Sequence, residues 1–257
     1  MNGACHSPGA GRFAGVCQIV RFNWPRYAAA IAVVIGALLA LAFVHTPIVV
    51  AAMVAVGVGV VLWWTFASLV ASWWVYDASR LHELPWLGRW RGSAADWMCV
   101  HAGLDDSSTP ATNLFGVEPT TIVDIYDPHE MTEPSIARAR RERSVHPRTV
   151  EVGKGARWPE GMACDVVLVA FAAHELREHD ARVRLFSTLA RMLGSSGRIV
   201  VVEHLRDVPN CIVYGPGAWH FFSRSEWLRT FADAGLEMDA ERRHTPLVRV
   251  FTLRARA

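Results

Sequence analysis

The chain has 257 residues, and its 26 basic and 24 acidic side chains leave a formal net charge of +2. This length allows one domain of ordinary size with an additional segment, and it excludes two large domains. The small net charge is not typical of a nucleic-acid-binding protein, so we expect no nucleic-acid partner. The five cysteines are scattered and form no C-x-x-C pair, so they indicate neither a zinc site nor a disulfide framework.

The N-terminal part of the chain divides into a tail and an apolar segment. Residues 1–26 are predicted to be a flexible tail. No Asp, Glu, Lys or Arg occurs from Tyr27 to Tyr76. Two apolar stretches flank Pro47, and each is long enough to cross a bilayer, so residues 27–76 are predicted to form a transmembrane helical hairpin. A cleaved signal peptide is the alternative for the first stretch.

Basic residues lie on both outer sides of the predicted hairpin, whereas the turn at 45–47 has none. This charge distribution predicts a multi-pass protein of the cell inner membrane, with both termini and the soluble domain in the cytoplasm. Small residues along the hairpin allow close helix packing, either within the hairpin or between copies in a homo-oligomer. The flanking residues are Arg12, Arg21, Arg26, Arg80, Arg89 and Arg91.

Residues 77–95 are predicted to be a juxtamembrane linker. Leucines and tryptophans alternate there with charged residues, so the segment could lie on the membrane surface or pack on the soluble domain. Pro85 predicts a break in its middle.

Residues 96–257 have the pattern of an α/β domain. Uninterrupted apolar runs predict buried strands, and amphipathic segments between them predict helices. The last two predicted strands have no helix between them, so they form an antiparallel hairpin. The strands begin near Trp97, Thr121, Thr149, Val166, Ile199, Leu236 and Leu247.

Three segments of this domain resemble class I S-adenosylmethionine-dependent methyltransferases. They are Asp165-Val-Val-Leu-Val-Ala-Phe171, the stretch from Leu189 to Glu203, and the stretch from Phe222 to Leu236. The loop His101-Ala-Gly-Leu-Asp105 and the segment Tyr126-Asp-Pro128 resemble those of a membrane-anchored bacterial subfamily. The resemblance implies a Rossmann-like seven-stranded mixed sheet with a terminal antiparallel β-hairpin, and S-adenosylmethionine as the cofactor.

The resemblance also implies which residues surround that cofactor. In the family, a glycine-rich loop after the first strand approaches the methionine and ribose closely. Here His101, Ala102 and Gly103 take that place, and Phe171 ends the fourth strand. An acidic residue after the second strand binds the ribose hydroxyls, and it is either Asp127, which we favour, or Asp124. The alternative for both is a structural aspartate, such as a turn-forming Asp127 before Pro128.

The acceptor of this family lies beyond the fourth strand. His174 is a candidate general base there, with Glu175 orienting it, or both could simply begin the next helix. His204, after the fifth strand, could contact the acceptor or join a surface ion-pair cluster. The aromatic loop 208–222 is long enough to form a lid.

The resemblance and the predicted anchor together imply a membrane-anchored methyltransferase acting on a small or lipid-like acceptor. The bilayer itself is the expected partner of the hairpin. The first alternative is a non-catalytic membrane protein that retains the fold but has a degenerate cofactor loop. The second is a Rossmann-type protein that binds another nucleotide. No motif for zinc proteases, P-loops or dinucleotide binding occurs.

Overall fold

The computed structural model describes residues 11–142 and 145–256. Two long helices come first: α1 is Ala14–Phe43 and α2 is Ile48–Trp73. Both α1 and the helical segment that begins at Ile48 are long and apolar enough to cross a bilayer. Large apolar side chains in their outer halves are exposed, including Ile31, Leu38, Met53 and Val56.

Helix α1 begins well before Tyr27, so residues 14–26 are helical rather than a flexible tail. The Asp77 carboxylate accepts hydrogen bonds from the backbone N–H groups of Gly15 and Val16, at 2.7 and 2.9 Å. These bonds satisfy donors that a helix start otherwise leaves unpaired. Arg21 forms an ion pair with Glu142 at 2.8 Å. Tertiary contacts therefore hold this part of the helix, and residues 1–10 lie outside the described part of the chain.

The linker over residues 77–95 packs on the soluble domain. It forms short helical turns in which Leu81, Leu84 and Leu87 are buried. These leucines join a core cluster that includes Trp97 and Leu114. The linker therefore covers one face of the sheet instead of lying on a membrane surface.

Seven strands form one sheet in the order β3-β2-β1-β4-β5-β7-β6. All neighbouring pairs are parallel except β5 with β7 and β6 with β7, which are antiparallel. This confirms the predicted mixed sheet with its terminal hairpin. The strands are β1 Trp97–His101, β2 Thr121–Asp124, β3 Thr149–Glu151, β4 Cys164–Ala170, β5 Leu193–His204, β6 Leu236–Thr245 and β7 Val248–Ala255.

Helices cover both faces of the sheet, which explains why its strands are apolar without alternation. One face packs against α4, α5 and α7, and the other against α3, the linker and the end of α2. Since the strand order reverses between β1 and β4, a crevice opens at their carboxyl ends. The helices are α3 Ser108–Phe115, α4 Pro134–Glu142, α5 His179–Arg191, α6 Val208–Tyr214 and α7 Arg224–Asp233.

Candidate functional site

A cavity of about 730 Å³ lies at the carboxyl ends of β1, β4 and β5. Its floor comes from the loops after these strands, and its roof from α1 and α2. This volume is ordinary for a site that binds a small molecule. Lining residues from the sheet side include His101, Ala102, Phe171, His174, Glu175 and His204, and those from the helices include Tyr27, Ala30, Val33 and Trp64. The cavity thus joins the predicted site residues to the apolar helices.

Six of the nine predicted site residues line this cavity, whereas Gly103, Asp124 and Asp127 do not. Asp124 ends β2, and its side chain is 1% exposed. Asp127 lies beyond the strand, where its carboxylate accepts the N–H of His129 at 2.8 Å. That bond is typical of a turn-forming aspartate. The geometry therefore favours Asp124 over Asp127 as the carboxylate nearest the crevice.

Arg140 of α4 covers the Asp124 side of the crevice. Its Nη1 donates to Asp124 Oδ2 at 2.6 Å, and its guanidinium lies 4.1 Å from the centre of the Tyr126 ring. Gly103 has φ of +98°, and a Cβ at this position would lie 2.7 Å from Arg140 Cγ. An arginine-rich helix such as α4 is usually a solvated face, but Arg140 is largely buried, with 10% of its side chain exposed.

These residues define how an S-adenosyl nucleoside could fit. The buried carboxylate of Asp124, at the end of β2, suits the ribose hydroxyls. Gly103, with its positive φ after β1, suits the close approach of the nucleoside to the backbone. Beyond them, His101 and Ala102 border open space in the cavity. The donor set fits the cofactor, provided that Arg140 turns away from Asp124 and leaves room for the ribose.

His174 occupies the centre of the opposite wall. It lies in the turn Ala173–Glu175 after β4 and is buried. Its Nδ1 is 2.6 Å from Glu203 Oε2, and its Nε2 is 3.3 Å from Glu175 Oε1. Glu203, in β5, is completely buried. Both ring nitrogens of His174 therefore face carboxylates.

This environment changes the protonation of His174. Burial alone would lower the pKa of His174, but the carboxylates of Glu203 and Glu175 raise it to about 10. Burial would likewise raise the pKa of Glu175, yet His174 and His220 hold it below its usual range. A ring that is protonated at neutral pH cannot accept a proton from an acceptor. The general-base role of His174 stays a prediction, and this arrangement does not favour it.

His220 completes the same group of side chains. It ends the helical turn Gly215–His220, and its Nε2 is 3.5 Å from Glu175 Oε2. Its Nδ1 is 3.9 Å from Glu133 Oε1. Neither His220 nor Glu203 is among the site residues predicted from the sequence. The signal for Glu203 was a charged residue at the end of the apolar run of β5, where strand ends approach a ligand crevice.

His204 has a different environment, although it is close by. Its Nδ1 lies 2.9 Å from the Leu247 carbonyl oxygen and its Nε2 3.1 Å from the Tyr76 hydroxyl. The carbonyl can only accept, so Nδ1 carries the proton and Nε2 accepts from Tyr76. Burial lowers the pKa of His204 to about 4, against the opposing effect of the Leu247 carbonyl. His204 is thus a neutral link between the sheet and the end of the apolar segment, not part of a surface ion-pair cluster.

The segment predicted as an aromatic lid forms α6 and the turn after it, and it packs on α2. The Trp63 indole N–H donates to the Ile212 carbonyl at 3.3 Å. Gly215 has φ of +53°, and a Cβ there would lie 2.5 Å from the Trp64 ring. Phe171 also has a positive φ, +49°, a strained conformation for a bulky residue. Its ring packs 5.1 Å from His204 in the cavity wall.

Comparisons with solved structures identify similar folds. The mitomycin 7-O-methyltransferase MmcR has a TM-score of 0.52 and 16% identity, over 96% of this chain and 73% of that chain. The N,N-8-amino-8-demethyl-D-riboflavin dimethyltransferase RosA from Streptomyces davawensis has a TM-score of 0.49 and 12% identity, over 90% of this chain and 70% of that chain. An S-adenosylmethionine-dependent methyltransferase from Aquifex aeolicus has 0.48 and 15%, over 69% and 93%. No family model and no curated protein matches the sequence. The likeness to MmcR shows a shared fold.

Proposed function

We propose that this chain is a membrane-anchored S-adenosylmethionine-dependent methyltransferase that acts on a small or lipid-like acceptor. The observation that carries the proposal is the shared cavity. Its floor is the crevice of a sheet whose strand order and terminal hairpin are those of class I methyltransferases, and its roof is made by the two apolar helices. The fold shared with MmcR, a methyltransferase, supports the same reaction class.

Within this proposal, the chain's residues position two ligands. The bound cofactor would supply an electrophilic methyl group on a sulfonium sulfur. Asp124 would hold the ribose, and His101 and Ala102 would border the amino-acid end. The acceptor would lie between these residues and the wall formed by His174, Glu175 and His220. Positioning of this kind can supply most of the rate enhancement for a displacement reaction.

The anchoring part of the proposal rests on the outer halves of α1 and α2. Their exposed apolar side chains form a surface that a bilayer would cover. Arg21 and Arg26 pair with Glu142 and Glu133 of the soluble domain, so the basic flank of α1 lies beside that domain. By the positive-inside rule, the domain and both termini would then be cytoplasmic. Ala30 and Val33 line the cavity from the apolar stretch, so an acceptor could enter from the lipid.

One observation favours the alternative of a non-catalytic membrane protein. Arg140 pairs with the carboxylate that a ribose would need, and the two side chains are almost completely buried. In a protein that never binds the nucleoside, this pair would be a permanent part of the core.

Isothermal titration calorimetry with S-adenosylmethionine and S-adenosylhomocysteine separates the two functions. The full chain in detergent is needed, because α1 and α2 form the roof of the cavity. We expect micromolar binding of both nucleosides. Absence of heat at high micromolar concentrations of both would remove the methyltransferase proposal. If the nucleosides bind, a labelled-methyl assay on total membranes would identify the class of acceptor.

A further inference from the structure

A cluster of two histidines and one glutamate lies in the wall of the cavity. The methyl-transfer proposal uses it only as a wall beside the acceptor and gives it no chemical role. One potential ligand atom from each of His174, Glu175 and His220 lies within 4.8 Å of the other two. His174 and Glu175 come from the turn after β4, and His220 from the turn after α6. The structure thus brings them together from two separate segments.

The spacing of this cluster suits a small cation. His174 Nε2 and His220 Nε2 lie 3.3 and 3.5 Å from the two oxygens of Glu175. A tetrahedral zinc ion with bonds of about 2.0–2.1 Å needs ligand–ligand separations of about 3.3–3.4 Å. The three ligand atoms lie within 4.8 Å of one another, so a closing movement of at most about 1.5 Å would bring them to bonding distance around one ion.

The carboxylate behind His174 has the arrangement found around metal ligands, and a more distant carboxylate lies behind His220. A metal-binding histidine usually donates its second ring N–H to a carboxylate, which fixes the ring and leaves the other nitrogen free to bind. His174 Nδ1 lies 2.6 Å from the completely buried Glu203. His220 Nδ1 lies 3.9 Å from Glu133, on the far side from Glu175. In both rings, Nε2 is the nitrogen that faces the cluster, and an ion bound there would displace the proton that His174 carries in the metal-free protein.

The surroundings of the cluster also leave a place for a further ligand. All three residues line the cavity. Catalytic zinc sites hold the ion with three protein ligands and keep the fourth position for water or substrate, and two histidines with one glutamate is a known set. Imidazole ligands favour zinc, iron, nickel and copper over magnesium or calcium.

We propose that His174, Glu175 and His220 bind a divalent transition-metal ion, of which zinc is the representative, with its open position facing the cavity. Glu203 orients His174 through its hydrogen bond to Nδ1. Metal binding itself does not depend on the methyl-transfer proposal. Where methyl transfer does occur, a hydroxyl oxygen of the acceptor would take the open position, release its proton to solvent on binding the ion, and accept the methyl group as S-adenosylhomocysteine departs. This would assign the acceptor to hydroxyl-bearing compounds and deepens the proposed function.

Metal content and metal titration of the full chain in detergent test this inference. After treatment with a chelator, the protein is titrated with Zn²⁺, and with Co²⁺ for its visible absorption spectrum. We expect one ion per chain and a Co²⁺ spectrum typical of four-coordinate sites. His220→Ala and Glu175→Gln should abolish binding, and Glu203→Gln should weaken it about 10-fold to 100-fold.

The matched control is His179→Ala. His179 also pairs with a carboxylate, Asp233 at 2.9 Å, but it lies outside the cavity. We expect this variant to bind metal like the unmodified protein. His220 has 23% of its side chain exposed, so its replacement should leave the fold intact, which circular dichroism can verify.

Two results would overturn the inference. One is a stoichiometry far below one ion per chain in the folded protein, and the other is binding that His220→Ala and Glu175→Gln leave unchanged. In either case the cluster is a hydrogen-bonded chain of histidines and carboxylates. Nucleoside binding is measured separately, on metal-free protein, so failure of one proposal is distinguishable from failure of the other.

Discussion

The two halves of the crevice at the carboxyl edge of the sheet differ in what fills them. Beside β2, the side chain of Arg140 occupies the space next to Asp124 and Gly103. Beside β4 and β5, a cavity of about 730 Å³ extends up to the apolar helices. Under the proposed function, the acceptor half is therefore preformed, whereas the nucleoside half depends on the position of Arg140. When only a fraction of the protein molecules has the conformation that binds a ligand, the apparent affinity is the intrinsic affinity multiplied by that fraction.

Replacement of Asp124 should have the largest effect on the nucleoside half. Asp124→Asn removes the charge that would bind the ribose hydroxyls and leaves Arg140 with its longer pair to Glu151, at 3.5 Å. We expect loss of nucleoside affinity of about 100-fold, since hydrogen bonds to a charged group contribute about 1.5–3 kcal/mol each. Calorimetry with S-adenosylhomocysteine measures it. Asp127→Asn is the control, and an equal loss in that variant would reverse the assignment.

The pH dependence of stability tests the neutral His204 of the acceptor half. Its folded-state pKa is lowered to about 4, so its stabilising effect is present above its ordinary pKa and is lost as the pH falls. Between pH 6.5 and 5, that loss is about 2 kcal/mol. Burial raises the pKa of Asp106 to about 6, which opposes this change.

Because Asp106 opposes the effect of His204, the pH dependence of stability is measured as a difference between the unmodified chain and a variant that lacks His204. Melting temperatures of the unmodified chain and of His204→Asn are compared from pH 7 to pH 5. The stability advantage of the unmodified chain should shrink by about 2 kcal/mol. An advantage that stays constant with pH would mean that His204 is not held neutral.

Replacement of Arg140 tests whether this arginine closes the nucleoside half. Arg140→Met keeps most of the side-chain volume but cannot pair with Asp124. We expect S-adenosylhomocysteine to bind about tenfold more tightly, because the competent fraction of the protein rises. Arg141→Met, on the same helix and exposed, should not change the affinity. A weaker affinity in Arg140→Met would mean that the arginine contributes to binding instead.

The smallest expected effect concerns the membrane end of the cavity. Ala30 lines the cavity from α1, whereas Ala32 is exposed and does not line it. Ala30→Phe should raise the KM for a lipid-extracted acceptor by about fivefold with little change in kcat, as expected for lost uniform binding. Ala32→Phe should leave both unchanged. Identical behaviour of the two variants in a labelled-methyl assay would argue against entry of the acceptor along α1.

The sheet could be predicted from the sequence because its strands are uninterrupted apolar runs. Two helical regions could not. Helix α3 begins Ser-Thr-Pro-Ala-Thr-Asn, which has no apolar stripe. The first turns of α1 depend on Asp77, which lies more than sixty residues away and whose role no local pattern reveals. Tertiary contacts determined both, so local propensity was insufficient.

The candidate site shows the same limit. The sequence identified the turns after β1, β4 and β5 because parallel strands end at one edge. It did not reveal that Glu203 would pair with His174, since 29 residues separate them and the register of β4 with β5 brings them together. Arg140 was overlooked because it belongs to a run of arginines, and its burial follows from the way α4 packs over β2.

The roof that α1 and α2 place over the cavity has a practical consequence for biochemistry. A fragment truncated near residue 78 to improve solubility would lose Tyr27, Trp64 and Tyr76 from the cavity wall. It would also expose apolar surface of the sheet that the end of α2 and the following turn normally cover. Inactivity of such a fragment would be an effect of the truncation and would say nothing about the full chain. Activity screens should therefore start from the full chain in nanodiscs.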